Sequence, residues 1–240
     1  MKKVIAAVMG VLILVSGLSA GCAGVKVQGS GNMINANLNI SDFTKIKVEN
    51  GFQVEVTEAD SFKVTAIVDD NVLEHIDIFK SGDTLILRPK RSRSFRSATL
   101  SARVSMPDIE KIELSNGAQA DIDNFDLSND LPVTLSGGSQ LKGSLSAGDL
   151  NLSLSDGSQV TLSGSVENLV IRKGSSGSHF NLENLSARNA DISLSDGSIA
   201  TINVDGTLNV DIRNGSKVVY IGQPKMGDIE VDWESDLIEK

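Results

Sequence analysis

The strongest constraint on the fold is an internal repeat of about 20 residues in the second half of the chain. Each copy contains a turn residue followed by a glycine, and in five of the six copies a serine comes next. The aligned glycines are Gly117, Gly138, Gly157, Gly177, Gly197 and Gly215, separated by 21, 19, 20, 20 and 18 residues. Repetition at a nearly fixed period is the signature of an architecture built by stacking one structural unit.

Each repeat has the pattern of two short strands joined at a corner. An alternating run such as Leu150-Asn-Leu-Ser-Leu154 precedes the glycine, and a shorter one such as Val160-Thr-Leu162 follows it. Alternation with period two indicates strands that bury their aliphatic residues on one face. Asn, Asp and Gly at the corner tolerate the positive φ that a sharp change of direction requires.

Two folds could use these corners, an array of antiparallel hairpins and a parallel β-helix. Asn-Gly and Asp-Gly turns suit hairpins, but hairpins give no reason for the same residues to recur at the same corner. In a β-helix, coils stack about 4.8 Å apart and equivalent residues form ladders. We therefore predict an all-β, parallel β-helix with inward ladders that include Leu154, Leu194 and Ile212. We expect serines of the corner ladder, such as Ser158, to tolerate alanine with little loss.

Residues 25–110 are rich in alternating runs but lack the repeat. We interpret 37–110 as an antiparallel or mixed β cap on coils at 111–222, within one domain spanning 37–234 and followed by a tail at 235–240. Asn50-Gly51 and Ser81-Gly-Asp83 resemble hairpin turns, and Asn71–Ile76 resembles a single helical turn. A cap would cover the exposed edge at one end of the stack.

The N-terminus resembles a bacterial lipoprotein export signal. Lys2 and Lys3 precede an uncharged apolar stretch that is too short to span a bilayer comfortably. Leu18-Ser-Ala-Gly-Cys22 is similar to a lipobox, although its leucine is one position further from the cysteine than in the commonest pattern. We assign 1–21 to the signal, 22–36 to an anchor and linker, and lipidation to Cys22, the only cysteine. Ordinary cleavage after Ala20 or Ala23 is the alternative.

Net charge limits the classes of partner. Without Lys2 and Lys3 the chain has 20 basic and 31 acidic residues, a net charge of −11. Such a chain repels phosphate backbones and anionic headgroups, so we expect no nucleic-acid binding. One basic run, Arg88-Pro-Lys-Arg-Ser-Arg-Ser-Phe-Arg96, stands out. It suits either a solvated hairpin loop or a site, at Arg91, Arg93 and Arg96, for an anionic polysaccharide or an acidic protein.

Support for catalysis is weak. The two histidines, His75 and His179, lie in different halves of the chain. Asp156 and Asp196 would occupy one corner two coils apart, about 10 Å, close to the 5–9.5 Å of paired glycosidase carboxylates. Aspartate also suits the corner conformation itself. Tyr220 and Trp233, each the only residue of its type, are expected to pack against the last coils.

The chain resembles a known bacterial family, the auto-transporter adhesin head or GIN domain. Short motifs carry the resemblance, and in chain order they are Gly29-Ser-Gly-Asn32, Phe43-Thr-Lys-Ile-Lys-Val48, the strands from Phe52 to Val68, Leu85-Ile-Leu87, Met106-Pro-Asp-Ile109, Ile112-Glu-Leu-Ser-Asn-Gly-Ala118 and the Ser-x-Gly-Ser corners. The resemblance implies a right-handed β-helix on an exported, often lipid-anchored protein. It brings no catalytic residues with it.

These observations favour a non-enzymatic, lipid-anchored envelope protein with a β-helical binding surface. Its expected partners are the membrane, through the lipid, and an envelope or extracellular polysaccharide or protein. We predict no cofactor, metal site or catalytic residue. A β-helix polysaccharide lyase or hydrolase is the alternative activity, and a purely structural envelope component is a third. The sequence leaves the face of the membrane and the oligomeric state open.

Overall fold

A computed structural model describes residues 25–240, so the export signal and Cys22 lie outside the described residues. In this part of the chain the structure has twenty strands and one short 3-10 helix at Leu73–His75. The first ten strands are β1 (Val25–Gln28), β2 (Met33–Leu38), β3 (Lys45–Glu49), β4 (Gln53–Glu58), β5 (Lys63–Asp69), β6 (Ile76–Ser81), β7 (Thr84–Pro89), β8 (Arg93–Arg96), β9 (Leu100–Met106) and β10 (Lys111–Ser115). The other ten are β11 (Gln119–Asp126), β12 (Leu131–Ser136), β13 (Gln140–Leu154), β14 (Gln159–Gly174), β15 (His179–Leu194), β16 (Ile199–Val204), β17 (Thr207–Ile212), β18 (Lys217–Ile221), β19 (Lys225–Val231) and β20 (Asp236–Glu239).

The prediction of an all-β solenoid is confirmed. About six turns of the solenoid have parallel partners about 20 residues apart in the chain, and further layers precede them. Its first face stacks, in order, β7, β3, β10, β12, the ends of β13, β14 and β15, then β17 and β19. Its second face stacks β9, β4, β11, the beginnings of β13, β14 and β15, then β16, β18 and β20.

The core is a column of aliphatic side chains that stack from turn to turn. Leu154, Leu194 and Ile212, predicted to point inward, are each at most 2% exposed. Burying one such side chain contributes about 1.5–3 kcal/mol. Gly174 takes the leucine position between Leu154 and Leu194 in this ladder. A Cβ at Gly174 would lie 2.3 Å from Cδ2 of Leu194 and 2.7 Å from Cε2 of Phe180, so these two side chains fill the space that the missing side chain leaves.

The corners have the positive φ that the sequence predicted. Asn116, Asp156, Asp196 and Asn214 all have φ between 55° and 57°, and a glycine with positive φ follows each. The assignment of Asn50-Gly51 to a hairpin turn was wrong. This pair joins β3 to β4, which belong to different faces, and the Gly51 N–H donates to the Asn116 carbonyl at 3.0 Å. It is another corner of the solenoid.

The corner serines are buried, which the sequence reading did not anticipate. Ser158 is fully buried, and its hydroxyl donates to the Ser155 carbonyl at 2.7 Å. The equivalent hydroxyls donate to the carbonyl three residues earlier in three further copies, at Ser139, Ser178 and Ser216. Ser198 is also fully buried, and its hydroxyl oxygen accepts the Ser178 N–H at 3.2 Å. The expectation that Ser158 tolerates alanine therefore does not fit the structure, because its polar group lies inside the turn.

The N-terminal half combines a mixed cap with two further parallel coils. Strands β2, β5 and β9 form an antiparallel group, and β6 pairs antiparallel with β7 through the predicted hairpin at Ser81-Gly-Asp83. The predicted helical turn is present as the 3-10 helix. The coil made by β3 and β4 lies between the coil of β7 and β9 and the coil of β10 and β11. Stacking order therefore departs from chain order here.

The last coil, β19 and β20, ends the stack with apolar side chains in solvent. Tyr220 packs against the core at 9% exposure, as predicted, but Trp233 is 91% exposed between β19 and β20. The prediction that Trp233 packs against the last coils was wrong, because no further coil covers it in residues 25–240. Within the same residues, no helix is long and apolar enough to cross a membrane.

Candidate functional site

The basic run forms a strand, and the predicted hairpin loop is not what the structure shows there. Arg93–Arg96 is β8, which pairs in parallel with β1 in a separate two-stranded sheet. The Val25 N–H donates to the Ser92 carbonyl at 2.9 Å, and the Gly29 N–H donates to the Arg96 carbonyl at 3.0 Å. We call β1, β8 and the turn at 90–92 the basic ribbon. It lies where the coil of β7 and β9 would otherwise have its corner.

The structure places the three predicted arginines near one another in the chain but on different sides of the ribbon. Alternation along β8 puts Arg93 on the same side as Phe95, which packs against the core. Arg96 lies on the opposite side and is exposed, and Arg91 is exposed in the turn. Lys26 of β1 is also exposed and pairs in register with Ser94, on the Arg96 side.

These three arginines differ from the other arginines in their partners. Within residues 25–240, no carboxylate lies within ion-pair distance of Arg91, Arg93 or Arg96, and Nε of Arg93 is buried without a hydrogen-bond partner. The remaining five each donate to a side chain: Arg88 to Glu49, Arg103 to Glu55, Arg172 to Asn151, Arg188 to Glu167 and Arg213 to Asp211. The exposed guanidinium groups of Arg91 and Arg96 are therefore available to an external anion.

A groove of about 540 Å³ runs along the basic ribbon. Its lining includes Asn50 of the neighbouring corner, Lys90, Arg91, Arg93 and Phe95. Lysine and arginine side chains, which donate hydrogen bonds, therefore line the same concave surface as an apolar wall. Such a combination suits a ligand with an anionic group beside an apolar part.

Sequence reasoning missed the residues that hold the N-terminal segment in place. Asp69 is 2% exposed, and its carboxylate accepts the Gly31 N–H at 2.6 Å and the Thr99 N–H at 2.8 Å. Asp70 accepts the hydroxyl of Ser30 at 2.6 Å and the amide of Asn32 at 2.8 Å. These hydrogen bonds, the one from the Ser30 hydroxyl above all, hold the pKa of Asp70 below its ordinary value. We call this set the N-terminal clamp.

A second candidate surface lies on the second face of the solenoid. Gln53, Gln119, Gln140 and Gln159 occupy equivalent positions on four successive layers and pair in register. Beside them is a groove of about 310 Å³ lined by Glu55, Arg103, Asp121 and Lys142, among others. Arg103 donates to Glu55 at 2.7 Å. We call this the glutamine face. Its sequence signal is the glutamine two residues after the corner glycine.

The corner carboxylates have structural partners. Asp156 accepts the Ser155 hydroxyl at 2.9 Å, and Asp196 accepts the Ser195 hydroxyl at 3.0 Å and the Asn214 amide at 3.0 Å. Ser176 lies at the corner between them, as predicted. His179 is exposed at the glutamine position of β15, and His75 lies in the 3-10 helix, 3.6 Å from Glu74. The two histidines thus belong to different parts of the fold.

Several solved structures share the shape of this chain. A putative adhesin from Bacteroides fragilis has a TM-score of 0.76 at 16% identity, over 89% of this chain and 97% of that one. A putative adhesin from Parabacteroides merdae has a TM-score of 0.70 at 15% identity, over 90% and 99%. A putative lipid binding protein from Parabacteroides distasonis has a TM-score of 0.69 at 14% identity, over 90% and 100%. These similarities show a shared fold.

Among curated proteins, none matches this chain significantly. The sequence profile of one domain family, described as "Putative auto-transporter adhesin, head GIN domain", matches residues 42–224. The match includes most of the cap and all six repeat corners, and it points to a protein of the cell envelope or surface. This chain belongs to the auto-transporter adhesin head GIN domain family.

Proposed function

We propose that this chain is a lipid-anchored envelope protein whose solenoid is a non-enzymatic binding module of the adhesin type. The family is named for an adhesin head, and two solved structures of the same fold carry the name of adhesins. A third carries the name of a lipid binding protein, which fits a protein that works at a membrane. The expected ligand is an envelope or extracellular polysaccharide or a protein.

The observation that carries the binding role is the glutamine face. Amide groups, each able to donate and accept hydrogen bonds, recur at the layer spacing of about 4.8 Å. Glu55, Arg103, Asp121 and Lys142 add charged groups along the same groove. A regular row of polar groups on a rigid surface suits an extended polymer with repeating hydroxyls, so we assign a polysaccharide to this face.

The binding test uses a glycan array and pull-downs with the mature chain. Gln119→Ala combined with Gln140→Ala should weaken glycan binding at least tenfold, because each alanine removes hydrogen bonds of about 0.5–1.5 kcal/mol. Gln223→Ala, an exposed glutamine outside this face, is the matched control and should bind like the wild type. Equal binding by the double variant would remove the glutamine face from the proposal. Shortened glycan products would indicate the lyase or hydrolase activity instead.

The anchor is assigned to Cys22 on the lipobox-like sequence. A diacylated cysteine has the two chains that stable membrane attachment requires, each buried CH₂ contributing about 0.8 kcal/mol. We expect Cys22→Ser to move the protein from the membrane fraction to the soluble fraction, and mass spectrometry to find acyl chains on Cys22 of the wild type. A free Cys22 thiol, or a mature protein that begins after Cys22, would contradict the anchor.

A further inference from the structure

We infer that the basic ribbon is a membrane-facing surface that binds anionic phospholipid headgroups beside the lipid anchor. The inference rests on the proposed acylation of Cys22, and it names a partner for Arg91 and Arg96, together with the exposed Lys26 on the Arg96 side of the ribbon. It adds a second contact with the bilayer, made by folded protein. Together the two contacts would fix how the solenoid stands on the membrane.

The distance along the chain brings the anchor close to the ribbon. Cys22 precedes Val25, the first residue of β1, by three residues. Because a residue spans at most about 3.6 Å, the acylated residue lies within roughly 11 Å of β1. Strand β1 pairs with β8 along its whole length, from Val25 with Arg93 to Gln28 with Arg96. The arginines of β8 are therefore next to the point where the chain enters the bilayer.

The structure also fixes this point to the body of the protein. The N-terminal clamp begins two residues after β1, where Ser30 and Gly31 bind Asp70 and Asp69. Gly29 has no space for a side chain, because a Cβ there would lie 2.3 Å from the Ser97 carbonyl oxygen. Residues 25–32 are thus held against the cap. An anchor attached here leaves the ribbon near the bilayer in every orientation that the short connection allows.

The charges of the ribbon suit anionic headgroups. Lys26, Arg91 and Arg96 are exposed, and Arg93 lines the groove with Lys90. Lys90 is the one cation of this group that the structure engages, by a 2.7 Å hydrogen bond to the Glu74 carbonyl. Four carboxylates at this end have partners: Glu49 and Asp77 lie beside Arg88, and Asp69 and Asp70 hold the clamp. A fifth, Glu74, is exposed and lies 3.6 Å from His75. Arginine matches phosphate well, since its planar group donates two parallel hydrogen bonds.

The acidity of the whole chain does not oppose this contact. The Debye length is about 8 Å at physiological ionic strength, so charges further away than that are largely screened from the headgroups. Acidic residues are spread over a long solenoid, whereas the unpaired arginines lie within six positions of the sequence. A polybasic segment beside a lipid anchor is a recognised source of membrane affinity, and one acyl group alone binds weakly.

The experiment measures vesicle binding by the mature chain carrying Cys22→Ser, which removes the acyl chains and isolates the contribution of the ribbon. The protein is sedimented with phosphatidylcholine vesicles that contain or lack phosphatidylglycerol. We expect binding only to the anionic vesicles, and weaker binding as salt rises. Lys26→Ser, Arg91→Ser and Arg96→Ser together should reduce it about a hundredfold, since each cation near an anionic surface contributes about fivefold.

A matched variant tests whether position or net charge is responsible. Arg172→Ser, Arg188→Ser and Arg213→Ser together remove the same charge from exposed sites elsewhere on the solenoid whose guanidinium groups already have side-chain partners. This variant should bind anionic vesicles like its parent. Equal losses in both triple variants would overturn the inference, and so would binding that does not depend on phosphatidylglycerol. The melting temperature of each variant is measured to check that it is folded.

Two further outcomes separate this inference from the proposed anchor. If wild-type Cys22 carries no acyl chains and the Cys22→Ser chain still binds anionic vesicles, the anchor is wrong and the headgroup surface stands. If the wild type is acylated and the Cys22→Ser chain binds no vesicles, the anchor stands and the inference is overturned. Binding of a soluble anionic polysaccharide that is lost in the ribbon variant, without any vesicle binding, would also overturn it and assign the ribbon to that polymer.

Discussion

At the scale of single residues, the corner serines are unexpectedly buried and hydrogen-bonded. Ser158 is buried, and its hydroxyl donates to the carbonyl at the start of the same corner. The hydroxyl therefore closes the turn from inside, while the glycine before it supplies the positive φ. A side chain that follows an Asp-Gly pair is usually expected to be solvated, so position in the sequence alone gives no sign of this burial.

Ser158→Ala should lower the free energy of unfolding by about 1–2 kcal/mol, because a buried hydrogen bond is lost and the carbonyl keeps only a long contact with the Ser158 N–H. Urea unfolding followed by circular dichroism measures the change. Ser128→Ala, at an exposed position, is the control and should leave stability nearly unchanged. A neutral Ser158→Ala would show that the hydroxyl fills space without stabilising the corner.

Sequence could predict the regular turns because their chemistry is local. Asn116, Asp156, Asp196 and Asn214 all recur before a glycine, and the alternating leucines between them are indeed buried. Asn50-Gly51 was not recognised as a corner, although Val48-Glu-Asn-Gly-Phe-Gln-Val54 has the same form as Leu114-Ser-Asn-Gly-Ala-Gln-Ala120. The two corners touch through Asn50 and Asn116, 66 residues apart, and the cap inserted between them hides the period.

At the scale of elements, the least predictable one is the basic ribbon. A parallel pair joins segments that are distant in the chain, here Val25 with Arg93, and parallel pairing has no turn to mark it. The run of basic residues in the sequence was enough to identify the arginines as a candidate site. Only the structure shows that they lie beside β1. The clamp residues Asp69 and Asp70 gave no signal either, because their partners lie about forty residues away.

The N-terminal clamp should make stability depend on pH. Hydrogen bonds from Ser30 and Asn32 lower the pKa of Asp70 in the folded state, so its ionised form stabilises the protein above the ordinary carboxyl pKa. This stabilisation is lost as the pH falls through that value to the lowered pKa. Asp70→Asn should therefore be less stable than the wild type at neutral pH, and the difference should shrink on acidification.

Urea unfolding of the wild type and Asp70→Asn at a series of pH values measures this difference. Asp60→Asn, on an exposed turn outside the clamp, serves as the control substitution. A difference between wild type and Asp70→Asn that stays constant from neutral to acidic pH would show that the carboxylate charge does not hold the clamp.

At the scale of the whole molecule, each coil of the solenoid is stabilised by the coils next to it. Stability in such an architecture is roughly a sum over turns and their interfaces. Leu154 is 1% exposed and stacks on Leu135 in the preceding turn. A single substitution in this column should therefore weaken the turns on both sides, while the antiparallel cap keeps its own contacts.

Leu154→Asp should lower the free energy of unfolding by about 3–5 kcal/mol, because it buries a charge without a partner. Thermal unfolding measures the loss, and hydrogen exchange should locate it in β12 to β15. Thr161→Asp adds the same charge at an exposed position on the second face and is the control. A melting temperature close to that of the wild type would contradict the inward assignment of Leu154.

The position of the coil of β3 and β4, between two coils that come later in the chain, affects the order in which the protein can fold. The export that we propose for this chain would carry it across the membrane as an extended polymer, with its N-terminal segments emerging early. This coil then has neither neighbour, since one begins at β7 and the other at β10. In the regular turns, the strand that forms the next layer follows only about 20 residues later in the chain. Closing a longer loop costs more entropy, so the later turns would form first and the N-terminal coil would be inserted last.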